Sequence, residues 1–146
     1  MGLSWAELLR LAVEMEERGR EFYLALAGRA EDPEARRTLE QMAAEEEDHA
    51  TVFSRRLSGR EVHLPEEMRG YLEALLADLA RRAPAGIKDP GQGLALAVEM
   101  EKDSILFYTE LAAAVEDEEA RRILHEILRA EKLHLVEVRE RLDDEG

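Results

Sequence analysis

The sequence predicts an all-α fold: a four-helix bundle made of two repeated helical hairpins joined by a long crossover containing a short helix. Three observations carry this prediction. Ala, Leu, Glu and Arg dominate the 146 residues, with only 9 Gly and 4 Pro, a composition of helix formers. Apolar residues recur at three- and four-residue intervals through four long stretches. The second half also repeats the first at a shift of 85 residues. Leu96-Ala97-Val98-Glu99-Met100-Glu101 copies Leu11-Ala12-Val13-Glu14-Met15-Glu16, and Phe107-Tyr108 copies Phe22-Tyr23. About nineteen of forty-three aligned positions are identical.

The length suits a single domain over residues 1–146, with hairpin repeats at about 4–58 and 89–142 and the crossover at about 59–88. Helix 1 starts at Ser4-Trp5-Ala6-Glu7, a capping box, with Leu3 and Leu8 placed as a hydrophobic staple. Leu9, Ala12, Val13, Glu16, Tyr23, Leu26 and Ala27 then follow one helical face. Gly28 and Asp32-Pro33 mark the turn, with Asp32 as N-cap and Pro33 in the first helical position. Helix 2 places Leu39, Met42, Ala43, Glu46, His49, Ala50 and Phe53 inward and stops near Ser58-Gly59. Within the connection, Pro65 opens and Ala83-Pro84 closes a helical run over 66–82, about 25 Å long, which suits a crossover. Helix 3 opens at Asp89-Pro90-Gly91-Gln92. Helix 4 points Leu124, Ile127, Leu128, Glu131, His134, Leu135 and Val138 inward and frays at Asp143-Asp144-Glu145.

Several function classes are excluded at once. Without cysteine there are no disulfides, thiolate-held metals or thiol nucleophile. A net charge of -14 argues against a nucleic-acid or anionic-membrane partner. No apolar run approaches the roughly 18 residues of a membrane span, and no cleavable leader is evident, so a cytoplasmic location is expected.

What the bundle carries is a set of acids on its apolar faces. Glu46 and His49 are three apart on one helix, as are Glu131 and His134, so each pair can grip a common ion. A lone glutamate precedes each pair by thirty residues: Glu16 before Glu46, and Glu101 before Glu131. Glu16 and Glu46 both lie about 22 Å from the first turn, so an antiparallel hairpin brings them to one height. Four carboxylates buried together without basic partners would repel one another and cost several kcal/mol apiece. Arg20 is the only basic candidate nearby in the first hairpin. Two divalent cations would balance the four carboxylates, with the imidazoles completing the coordination. This predicts Glu16 and Glu101 as terminal ligands, Glu46 and Glu131 as bridges, and His49 and His134 at opposite ends. The oxygen-rich set suits two iron ions, with manganese second.

Tyr23 and Tyr108 each follow a terminal glutamate by seven residues; they are either core or hydroxyls that orient a ligand carboxylate. Gly19 and Ser104, each three residues after a terminal glutamate, leave space for an exogenous ligand or for close helix packing. Glu14, Glu17, Glu45, Glu47 and Asp48 read as solvated helix faces, and His63 and His125 as surface residues.

On these six residues and the two Phe-Tyr pairs, the chain resembles ferritin-like di-iron proteins. The stretch Ala97–Ala112 is most similar to the rubrerythrin domain. The resemblance spans residues 5–140. It implies a non-haem di-iron centre reacting with hydrogen peroxide or dioxygen in oxidative-stress protection, an external electron donor such as a rubredoxin-like protein, and a homodimer. Two departures stand out. There are no cysteines for a rubredoxin-type iron, and Val98 stands where rubrerythrins place an extra helix-3 glutamate. The more symmetric six-residue set approaches a bacterioferritin-type ferroxidase centre. Three readings therefore remain: a peroxide- or oxygen-reducing enzyme, an iron-oxidising and iron-handling protein, and a helical module stabilised by metal.

Overall fold

The computed structural model describes residues 4–59, 66, 67, 70, 74 and 90–145. Its four long helices are α1 (Trp5–Arg29), α2 (Pro33–Arg55), α3 (Pro90–Ala114) and α4 (Glu118–Glu145), and the fold is an all-α four-helix bundle. Ser4 caps α1, its hydroxyl accepting from the Glu7 amide at 3.1 Å. Asp32 caps α2 through the Ala35 amide at 3.2 Å, with Pro33 at the first helical position. Asp117 repeats that cap on α4, accepting from the Ala120 amide at 2.9 Å. The two hairpin turns also share an arginine clamp: Arg36 donates to the Ala30 carbonyl, and Arg121 to the Val115 carbonyl.

Three boundaries differ from the sequence expectation. α1 continues through Gly28 to Arg29, so the turn occupies only the next three residues. α2 ends slightly early, and Gly59 takes the left-handed φ of 80° just beyond it. α4 persists through Glu145 instead of fraying at Asp143. Leu3, Asp89, His63 and most of the expected crossover helix lie outside the described residues; Glu66, Glu67, Gly70 and Ala74 within it are helical.

Two apolar layers set the helix directions. At one end Trp5, Leu8 and Ala12 of α1 meet Phe53 of α2, Leu111 of α3 and Ile123 of α4. At the other, Phe22 and Leu26 of α1 meet Leu39 of α2, Leu94 of α3 and Val138 of α4. The start of α1 thus shares a layer with the ends of α2 and α3, so α2 and α3 run the same way. The connection between residues 59 and 90 must therefore join opposite ends of the bundle. Trp5 fastens the first layer, its indole Nε1 donating to the Leu57 carbonyl at 3.0 Å. Val13 and Leu135, expected inward, are only half-buried.

Candidate metal centre

Between the apolar layers lies a polar one. The buried polar residues Glu16, Glu46, His49, Glu101, Glu131 and His134 are each at most 8 % exposed. Each helix supplies its share through the inward period noted above: Glu16 from α1, Glu46 and His49 from α2, Glu101 from α3, Glu131 and His134 from α4. They form two overlapping groups, Glu16–Glu46–His49–Glu131 and Glu46–Glu101–Glu131–His134, in which one donor atom per residue lies within 4.8 Å of the others. Glu46 and Glu131 belong to both groups, while each terminal glutamate and each histidine belongs to one.

The distances show how tightly the layer is drawn. His49 Nδ1 lies 3.1 Å from Glu131 Oε1 and 3.5 Å from Glu16 Oε2. His134 Nδ1 lies 2.9 Å from Glu46 Oε1 and 3.6 Å from Glu101 Oε1. The two imidazoles stack at 6.3 Å between centroids. Arg20 takes no part; its guanidinium reaches Glu47 at the surface, at 3.7 Å.

So close a set of acids distorts its own protonation. Burial, then the charges of Glu131 and Glu16, pushes Glu46 well above the usual carboxylate range. Burial and Glu131 do the same to Glu101. Burial would also raise Glu16, but the close polar groups of Glu46 and His49, the His49 charge and the Tyr108 hydroxyl outweigh it and hold Glu16 low. Burial would lower both imidazoles; instead Glu131 and Glu16 lift His49 to about 10, and Glu101 with Glu131 and Glu45 lifts His134 to about 9. These shifts all favour the protonated forms of Glu46, Glu101, His49 and His134, which offsets the charge that cations would otherwise balance.

Whether the residues fit a metal pair can be judged from their unmet valences. Glu16 Oε2, Glu46 Oε1, Glu101 Oε2 and His134 Nδ1 are all buried without a hydrogen-bond partner. An unmet buried polar atom costs about 1–3 kcal/mol, and these four all belong to residues of the two overlapping groups. Even the 2.9 Å approach of His134 Nδ1 to Glu46 Oε1 lacks hydrogen-bond geometry. Oxygen-rich donors with one imidazole per group fit a pair of iron or manganese ions.

Around this core the two tyrosines cross between repeats. Tyr23 of α1 donates to Glu101 of α3, and Tyr108 of α3 donates to Glu16 of α1. The reciprocity requires α1 and α3 to run antiparallel, so each repeat orients the terminal glutamate of the other. Gly19 serves Glu46: a Cβ there would fall 2.9 Å from Glu46 Oε2. Ser104 is half-buried, and His125 is exposed as expected.

One expectation is overturned. Glu45 is not simply part of a solvated face; its Oε2 lies 2.6 Å from His134 Nε2, across from the nitrogen that faces the cluster. A helical wheel assigns Glu45 by its own helix, and the histidine it meets stands on another. The sequence signal available was its place beside Glu46, directly preceding the Glu-x-x-His pair.

Fold and site together define a helical bundle with a buried carboxylate–histidine cluster suited to holding metal. The sequence matches the rubrerythrin family over residues 7–141, and the chain belongs to that family. A solved structure from Thermotoga maritima, described as a candidate ferritin-like diiron-carboxylate protein, superposes with a TM-score of 0.76 at 24% identity, covering 99% of this chain and 98% of that one. No curated protein matches the sequence.

Proposed function

We propose that this chain is a non-haem di-iron oxidoreductase acting on hydrogen peroxide or dioxygen. Glu16 and His49 would hold one iron, Glu101 and His134 the other, with Glu46 and Glu131 shared. The observation that carries the reading is the pair of overlapping buried donor groups with four unpartnered atoms. When bound, the metal pair supplies two electrons to one small oxidant. The protein's part is to hold four carboxylates and two imidazoles in register and to exclude bulk water with the apolar layers on either side. The Tyr23 and Tyr108 hydroxyls orient Glu101 and Glu16 from outside. With no cysteine in the chain, reducing equivalents would come from an external carrier such as a rubredoxin-like protein. A cytoplasmic setting suits that supply.

A second reading, iron oxidation and handling, is favoured by one residue. Val98 is apolar and buried where a further carboxylate would make the set unsymmetric. Anaerobic ferrous loading followed by stopped-flow mixing with peroxide, and separately with oxygen, separates the two by near-ultraviolet absorption. Two irons per chain oxidised faster by peroxide than by oxygen is the expected result. Fast oxidation by oxygen with continued iron uptake would establish the second reading instead. Absence of stoichiometric iron, with Glu46→Ala indistinguishable from wild type, would defeat both.

A further inference from the structure

The 85-residue repeat makes the two halves of the cluster nearly interchangeable, so a departure from it inside the site is informative. Glu46 matches Glu131, His49 matches His134, Glu16 matches Glu101, and Tyr23 matches Tyr108. Glu45 matches Ala130. His134 therefore has a carboxylate 2.6 Å behind its outer nitrogen, while the residue that the repeat aligns with Glu45, in the hairpin opposite His49, carries only a methyl group.

The chemistry of this difference is specific. His134 turns Nδ1 toward Glu46 and Glu101 and Nε2 toward Glu45. A carboxylate accepting from Nε2–H fixes the tautomer that leaves Nδ1 free to donate to a metal. It also locks the ring plane and makes the imidazole a stronger ligand. His49 likewise turns Nδ1 inward, toward Glu131 and Glu16, but Ala130 can give it no such support. A second feature lies on the same side. A surface groove between α2 and α4, lined by Gln41, Met42, Glu45, Leu133 and Glu137, reaches His134 itself. His134 is buried at the floor of that groove, 3 % exposed.

We propose that the two metal positions are unequal, and that Glu45 is the positioning residue that makes the His134 position the tighter and the first filled. This rests on the di-metal reading above. The mixed state, one metal at His134 and none at His49, then exists over a range of metal concentrations.

The test is an anaerobic titration of the metal-free full chain with Co²⁺, followed by visible absorption and calorimetry. The wild type should fill in two steps separated by about 10- to 100-fold, the range that such outer carboxylates contribute to metal affinity. Glu45→Ala should weaken the tight step by that factor, leave the weak step in place, and so merge the two. Glu45→Gln, which keeps an acceptor but not the charge, should fall between. Ala130→Glu should strengthen the weak step, a gain that general destabilisation cannot produce. His134→Ala should abolish the tight step and His49→Ala the weak one, which assigns each step to its position. Two equal steps in the wild type, unmoved by Glu45→Ala, would overturn the inequality and leave the di-metal reading intact. Failure to bind Co²⁺ at two per chain would remove that reading and the inequality with it.

Discussion

A Cβ built on Gly19 would fall 2.9 Å from Glu46 Oε2, inside van der Waals contact with a carboxylate shared by both donor groups. Glycine within a helix costs about 1 kcal/mol relative to alanine, and Gly19 lies in the middle of α1. Gly19→Ala should therefore leave the metal-free protein as stable as wild type or slightly more so, because Glu46 can swing aside when nothing holds it. Metal affinity should fall by about tenfold or more at both positions, as expected when a ligand's support is disturbed. Thermal unfolding with and without Co²⁺ checks both halves; a lower melting temperature without metal would refute the account. The tyrosines permit a finer comparison. Tyr108 donates to Glu16, whose pKa is held low and which favours the charged form, whereas Tyr23 donates to Glu101, which burial and Glu131 push toward the protonated form. Hydrogen bonds to charged groups are about twice as strong as neutral ones. Urea unfolding of the metal-free variants should find Tyr108→Phe costing about 2 kcal/mol and Tyr23→Phe about 1 kcal/mol, and equal costs would show that the two carboxylates do not differ in charge.

At the scale of the helices, the repeated motif Asp-x-Glu-Ala-Arg-Arg has a structural cause. In both hairpins the aspartate caps the second helix and the first arginine binds a carbonyl of the turn that precedes it. Asp32→Ala and Asp117→Ala should each cost about 1 kcal/mol. Because the turns belong to different hairpins, the double variant should cost the sum, while two metals per chain are still bound. A change in that stoichiometry would mean that the turns set the cluster's geometry as well as the helices' stability. The Asp32 cap was legible because N-cap chemistry is local: the Asp32 side chain accepts from the Ala35 amide, three residues on. The C-terminal ends were less so. Gly28 reads as a stop signal, yet α1 passes through it, since α1–α2 packing outweighs a propensity of about 1 kcal/mol. The acidic end of α4 likewise reads as fraying although it stays helical. The inward faces of α2 and, Leu135 apart, of α4 followed directly from period, because each residue's face is fixed by its own helix. Glu45 escaped that reasoning because what it touches belongs to α4, and no periodicity in α2 can report a contact made across the bundle.

Across the whole molecule, the cluster couples folding to pH and to metal in opposite senses. Metal-free, His49 and His134 are raised from 6.5 to about 10 and about 9, and Glu46 and Glu101 are raised well above 4.5. A group whose folded pKa exceeds its unfolded value contributes stability that is complete below the unfolded pKa and is lost as pH rises toward the folded one. For the two glutamates the loss begins above 4.5, and for the two histidines above 6.5. Glu16, held low, has the contrary sign, but its contribution is complete above 4.5 and changes only at more acid pH. From about pH 6 to pH 9 every shifted group at the cluster that still titrates therefore weakens the metal-free fold as protons leave. Metal binding runs the other way, since each cation must displace those same protons and binds more tightly when fewer remain. The melting temperature of the metal-free protein should fall steadily across this window, and the increment gained on adding two equivalents of Co²⁺ should widen with it. Substituting His49 and His134 together by Gln should flatten the metal-free profile above pH 6.5, where only the glutamates still contribute. A metal-free melting temperature independent of pH, or a metal increment that shrinks as pH rises, would show that the buried acids and imidazoles do not share their protons as the geometry implies. The bundle would then be held by its apolar layers alone, with the polar layer between them energetically silent.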